Sequence, residues 1–430
     1  MKLLDDPGVV VFAYYGVGDM NPSRQAILLA LVLIAPLCFF CVPLDSLEQS
    51  GNSVDLSPAV IDFMRSYEVH SIIDINNDTH FDDVASNENW DGYGNETHPY
   101  IIEGYNITDD LTCIEITDVS RYFVIRNCMI NSSTGPTDPG IVLLNVSNAR
   151  VENTVVAWHT HAIYADDCPT LVIDNCTITK SNAITIWILY SNDTVISNCD
   201  VYENPYRITI QDSVGVTLEN NTIHDNGWEG VLVASSDSTV LKNNTVYNSE
   251  GEGIILSNSD FCEVTKNTVY DNGASGILVS ASDNCTITEN RAFGNSHTLP
   301  TTGIHVQSSH NGTISDNILY DNFHSGIYLH SSDNWEVLGN DIYNNSVYGI
   351  YGWSADNVTV YDNDIWLNGW DTIPSYRAAV NVQYSYRWNI TGNKIFDNLQ
   401  HGIRLDIVYD MIIADNDILD NGWSDGGQGI

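Results

Sequence analysis

The chain has 430 residues, 15 basic side chains against 56 acidic ones, and a formal net charge of −41. A binder of nucleic-acid backbone needs a basic surface, so no nucleic-acid partner is expected. Gly, Asn, Asp, Ser and Thr are abundant and long runs of Leu, Ala, Glu and Lys are missing, which favours turns and short strands over helices.

Residues 1–25 read as a cytoplasmic piece or a mis-called start, since Met20 opens "MNPSRQAILL" in the manner of an export signal. Residues 26–44, "AILLALVLIAPLCFFCVPL", carry no charge, with Arg24 before them and Asp45 and Glu48 after. This predicts one N-terminal apolar helix whose basic flank stays inside. Val42-Pro43-Leu44 lacks the small residues of a cleavage site, so a signal peptide and a membrane anchor both stay open. Residues 45–89 read as a linker and N-terminal cap, and residues 90–430 as a repeat domain. The expected location is extracellular or at the cell surface. Asn-x-Ser/Thr acceptors at Asn77, Asn95, Asn106, Asn145, Asn192, Asn284, Asn311, Asn357 and Asn389 fit a glycoprotein, although an Asn- and Thr-rich chain makes several by chance.

Further on, asparagines recur in register: Asn175, Asn198, Asn221, Asn244, Asn267, Asn290, Asn317, Asn340, Asn363, Asn393 and Asn416, at steps of 23 except one of 27 and one of 30. A second row, including Asn226, Asn272, Asn295, Asn322, Asn345, Asn368, Asn398 and Asn421, follows five residues later. Within a unit such as "GIYLHSSDNWEVLGNDIYNNSVY", Gly326–Tyr348, three short apolar/polar alternations are separated by turn residues. Strands this short bury an apolar face only by stacking unit on unit. The reading is all-β: a parallel β-helix of about 13 coils of roughly 23 residues over Leu111–Gln428, three strands per coil, on the order of 60 Å long. The asparagines are assigned to left-handed corners and to an amide ladder. Cys176 with Cys199, and Cys262 with Cys285, are each 23 apart. They form either inter-coil disulfides or a row of buried free thiols. Longer repeats gain residues before the Gly-Ile strand, at Asn131–Pro139, Ser296–Thr302, Gly369–Ala378 and Gly422–Gln428.

Outward positions of the first strand carry the candidate site. Middle coils show bland pairs, Leu232/Ala234, Ile255/Ser257 and Leu278/Ser280. Five successive coils then present His305/Gln307, Tyr328/His330, Tyr351/Trp353, Asn381/Gln383 and Arg404/Asp406. Rings and amides lining one groove suit a sugar chain, whose apolar faces stack and whose hydroxyls bond to planar polar groups; a solvated sheet face is the competing reading. His305 and His330 lack a third ligand, so no metal is assigned. A second cluster comprises His159, His161, Asp166 and Asp167, with Trp187, Arg207 and Asp212 on following coils. It has the residue types for acid/base chemistry if they converge, or it is a set of polar edge residues.

These units resemble the short parallel β-helix repeats of the NosD-like and "carbohydrate-binding and sugar hydrolase" group. Trp90–Ile107, "WDGYGNETHPYIIEGYNI", looks like the G-x-G-x-x-x-x-P-Y-I-I opener of secreted surface proteins in that group. The resemblance implies a right-handed coil and an N-terminal cap, and little about activity. The Asn-Thr-Asp, Asp-Asp and Gly-His-Gly set of pectin hydrolases and the Asp-Pro-His motif of alginate epimerases are not found in order. No cofactor is required; calcium stays open, although the outer face is too sparse in acid to make a calcium cluster obvious. The expected function is an exported surface protein binding a polysaccharide or cell-surface glycan. A lyase, hydrolase or epimerase using the same face and a structural spacer or adhesin are the alternatives. The last residues, "GGQGI", open a further coil, so self-association through an open C-terminal coil is expected.

Overall fold

The structure is a computed structural model and describes residues 67–422, apart from 133, 134, 136, 296–300 and 371–376. The apolar stretch 26–44, the residues before it, residues 45–66 of the linker and the final "GGQGI" lie outside the described residues. Among the described residues no helix is long and apolar enough to cross a membrane.

Strands of three to six residues stack into three parallel sheets, and each strand pairs with the one three later in the chain. The first sheet has 14 strands, from Ile73–Ile75 to His401–Asp406, and the second has 14, from Tyr100–Glu103 to Ile412–Ala414. The third has 15, from Glu68–His70 to Asp417–Leu419. This is the parallel β-helix that the period predicts; all but the first of the first-sheet strands lie beyond Leu111. Alternation sets the faces. In Ile277–Ser280, Ile277 and Val279 are buried in the central column, while Leu278 and Ser280 face out.

One further coil, built from residues 68–103, precedes those. It holds the one α-helix of the described residues, α1 (Asp78–Glu88), between a first-sheet and a second-sheet strand. Asn77 caps it by accepting from the His80 N–H, and Asn89 ends it in the left-handed region. Phe81 is fully buried and stacks on Tyr100 at 5.1 Å. Arg121 clamps Asp82 with two hydrogen bonds of 3.0 and 2.6 Å. The helix thereby covers the apolar end of the column.

The asparagine rows have a more specific cause than the sequence suggests. From Asn221 onward the asparagine points inward, and the residue before it takes the left-handed corner: Asn220, Asn243, Lys266, Glu289, Asp316. Lys and Glu serve there, so the left-handed backbone is not what selects asparagine. Asn175 and Asn198 are themselves at that corner and face outward; Cys176 and Cys199 fill the inward places on their coils. The inward amide is selected by its bonds. Asn267 Nδ2 donates to Leu241 O at 2.8 Å and to Asn290 Oδ1 at 3.0 Å, while its Oδ1 accepts from Asn244 N–H at 2.9 Å. A second column runs through Asn204 and Asn226 and, after Ser249, from Asn272 to Asn421. A third column, of serines, lines the corner between the first and second sheets. Ser236 Oγ accepts from Ser213 N–H and donates to Ala234 O.

The seven described cysteines are free and buried. Cys176 with Cys199, and Cys262 with Cys285, therefore stand as neighbouring thiols, the second of the two readings. Two indoles also enter the column. Trp335 and Trp388 are fully buried, and a Cβ added at Gly312 or Gly352 would lie 2.2 or 2.3 Å from them.

Asn267→Val should destabilise the fold by about 1–3 kcal/mol, because it strands the buried Leu241 O and Asn244 N–H on the coil before and removes a bond to the Asn290 amide on the coil after. Lys266→Asn, at the exposed corner beside it, should leave the melting temperature unchanged or slightly raised. Thermal unfolding of both variants checks the register; equal losses would count against it.

Candidate functional site

The outward face of the first sheet carries two straight columns. Pairing places His305, Tyr328, Tyr351, Asn381 and Arg404 in one and Gln307, His330, Trp353, Gln383 and Asp406 in the other. All ten residues therefore share a face. His305 stacks on Tyr328 and Tyr328 on Tyr351, each at 4.8 Å and within 15° of parallel. Arg404 donates to Asn381 Oδ1 at 3.1 Å and pairs with Asp406 at 3.4 Å.

Two residues outside the ten complete this end. Tyr348 stacks on Tyr351 at 4.8 Å, and His324 meets Tyr348 edge-on at 5.4 Å. They lie ahead of or at the start of their strands, in "FHSGIYLH" and "SVYGIYGW", where alternation read from the glycine onward does not reach. Burial pulls both His305 and His324 down to about 4, with His330 and His324 adding to the effect at His305. Both are neutral at physiological pH. His305 Nε2 is buried without a hydrogen-bond partner among the described residues. Burial also raises the Tyr351 phenol.

Stacking along the column changes what the face offers. Rings that cover one another present edges and polar tips, not faces. Trp353 departs from this pattern, standing at 82° to Tyr351 and 54° to Tyr384. Neither of these two neighbours covers its indole in parallel.

The second cluster divides. His159 is fully buried in the column, 3.2 Å from Asp138 O and 3.8 Å from Cys113 Sγ, so it leaves the outer face. The apolar surroundings outweigh those contacts and lower its pKa. Asp167 sits at a left-handed corner beside Asp118 and Asn145, away from the rest. Asp166 accepts from Tyr164 at 3.1 Å. His161 and Tyr164 pack on Trp187 at 5.7 and 5.2 Å. Arg207 pairs with Glu229 and lies 5.4 Å over the Trp228 ring. Sequence reading missed Glu229, which stands two residues before its strand, where alternation has no phase to extend. Among the described residues no three candidate metal ligands come together.

With this geometry in place, comparison with known proteins is informative. A family model described as a right handed beta helix region matches residues 139–292, and one described as periplasmic copper-binding protein (NosD) matches residues 275–424. No curated protein sequence matches the chain. A double mutant of the periplasmic alginate epimerase AlgG matches with a TM-score of 0.53 at 14% identity, over 81% of this chain and 85% of that one. The A-module of the Azotobacter vinelandii mannuronan C-5 epimerase AlgE6 gives 0.48 at 12%, over 75% and 91%. Identities this low speak to fold alone. The two consecutive family matches and the three-sheet solenoid together identify the chain as a NosD-like right-handed parallel β-helix repeat protein.

Proposed function

We propose that the first-sheet face binds a polysaccharide or cell-surface glycan outside the cytoplasm. The observation that carries this reading is the pair of columns from His305/Gln307 to Arg404/Asp406, five coils deep, where the preceding coils are bland. Neutral imidazoles, phenols and amides exchange hydrogen bonds with hydroxyls without the cost of burying charge. The Trp353 indole gives a sugar ring a face to stack on. The fold neighbour AlgG is by name an epimerase of alginate, a polysaccharide, and is periplasmic, which supports the same direction. Export through residues 26–44 and glycan attachment at the acceptor asparagines belong to this reading.

A glycan array probed with the protein tests it. Trp353→Ala should weaken binding by roughly tenfold, a change of about 1–2 kcal/mol, with circular dichroism unaltered. Leu278→Ala, on the bland stretch, should do less. Equal effects from the two, or no binding to any glycan, would count against a groove at this end.

The buried histidines make a pH prediction. His305 and His324 titrate near 4 in the fold, against about 6.5 in an unfolded chain. Between those values the unfolded chain binds protons that the fold excludes. Their stabilisation is therefore complete above about pH 6.5 and is lost as pH falls toward about 4. The melting temperature should drop across this window, and His324→Gln should flatten the drop. A slope unchanged by the substitution would contradict the burial assigned to that ring.

A further inference from the structure

The middle coils of the same sheet hold a group of polar side chains that the glycan groove does not use. Arg207 and Thr209 stand two apart at the start of a first-sheet strand, and Thr209 neighbours Trp187 on the coil before. Thr209 is 3% exposed, and its Oγ1 has no hydrogen-bond partner among the described residues. The same holds for Trp187 Nε1, Arg207 Nε and His161 Nδ1. Four buried polar atoms without protein partners on three successive coils are costly unless something polar meets them.

Two carboxylates border this place. Glu229 and Glu252 each stand two residues before a first-sheet strand, on adjacent coils whose strands pair in register. Gly230 N–H bonds to Glu252 O at 3.0 Å, which holds the two positions together. Gly251 leaves room for Glu229, since a Cβ there would lie 3.1 Å from its Cγ. Arg207 holds one oxygen of Glu229, and both side chains keep part of their surface open, 20% and 16%. The environments differ. Glu229 faces a guanidinium. Glu252 is pushed up by burial and by the charge of Glu229, with Arg207 opposing. A carboxyl raised by burial next to one that a guanidinium holds suits an acid beside a nucleophile.

We propose that Glu229 and Glu252, with Arg207 positioning the first, form a site that hydrolyses glycosidic bonds of the glycan held on the first-sheet face. This rests on the glycan reading of that face and adds a reaction to it. The two glutamates stand one coil's rise apart in the backbone, about 4.8 Å, and the step is written with retention, in which the paired carboxyls lie about 5–5.5 Å apart. The Glu229 carboxylate attacks the anomeric carbon. The bond from that carbon to the glycosidic oxygen breaks, its electron pair passes to the oxygen, and the oxygen takes the proton of Glu252. Water then gives a proton to Glu252 as its oxygen attacks the same carbon, and the ester bond to Glu229 breaks. One water is consumed, one reducing end and one hydroxyl are formed, and both carboxyls return to their starting states.

The test measures reducing-end release by the full chain from soluble β-glucan, α-glucan, galactan and mannan. It is paired with trapping by 2-deoxy-2-fluoroglycosyl fluorides of the gluco, galacto and manno series. Release from at least one polymer is expected, with the trapped ester mapped by peptide mass to Glu229. Glu229→Gln and Glu252→Gln should each lower the rate by about 100-fold or more while array binding stays at the wild-type level. Glu252→Gln breaks no ion pair, so it keeps the test independent of any folding loss at Glu229. Absence of both release and trapping, or a wild-type rate in Glu252→Gln, overturns the catalytic pair. Absence of array binding instead overturns the glycan reading of the face, so the two failures are distinguishable.

Discussion

An inward asparagine with asparagines on both neighbouring coils ties three successive coils together, and most of the molecule depends on that bond pattern. Asn340 donates to Ile314 O on the coil before and to Asn363 Oδ1 on the coil after, and its Oδ1 accepts from Asn317. A buried amide is costly when its groups lack partners and is well tolerated when all of them are satisfied. Here the satisfaction comes from identical neighbours, so the same residue is required at the same place on coil after coil. The pattern also explains how the chain carries insertions. The steps of 27 from Asn290 to Asn317 and of 30 from Asn363 to Asn393 keep amide-to-amide bonds of 3.1 and 2.9 Å. Extra residues leave at the corner before the first sheet and do not disturb the column.

The coil rise fixed by these columns also sets the chemistry of the outer faces. In-register strands lie about 4.8 Å apart, close to the spacing at which rings stack. Any aromatic repeated at one outward position therefore joins a stack. Rings from Tyr202 to Phe396 do so along the third sheet, at 4.5–5.7 Å. A face built this way displays ring edges and polar tips. Planar recognition then falls to rings that break the stack, as Trp353 does.

The fold was legible in the sequence because period and alternation are both carried by residues that repeat. The 23-residue step predicts the stacking, and the Ile/Val/Leu alternation predicts which strand residues point in. Corners were less legible. A corner residue and its successor are both polar, and spacing alone does not separate the outward left-handed one from the inward amide; hence Asn175 and Asn198 align with a column they do not enter. Site residues divide along the same line. The ten outward positions of the first sheet follow from alternation inside a strand. Glu229, Glu252, His324 and Tyr348 stand at or before strand starts, where alternation has no phase to extend. His159 shows the converse: a histidine beside outward residues in sequence, turned inward by its corner.

Two histidines in ring stacks show how neighbours, and not stacking, decide the role of a residue. His224 lies between Tyr202 and Tyr247 on the third sheet, and His305 lies on Tyr328 on the first. Burial lowers the pKa of both. At His224 it is outweighed by Asp200 and Asp225, at 3.2 and 2.6 Å, which raise the pKa and engage both ring nitrogens. That imidazole is committed to the protein. His305 has no carboxylate against it, stays neutral, and keeps a buried Nε2 without a protein partner. The Arg207 coils in the middle of the first sheet repeat the contrast: Glu229 is held by a guanidinium while Glu252 is lifted by burial. The charged partner beside each group, and not the ring stack, therefore decides which of these side chains the protein itself engages.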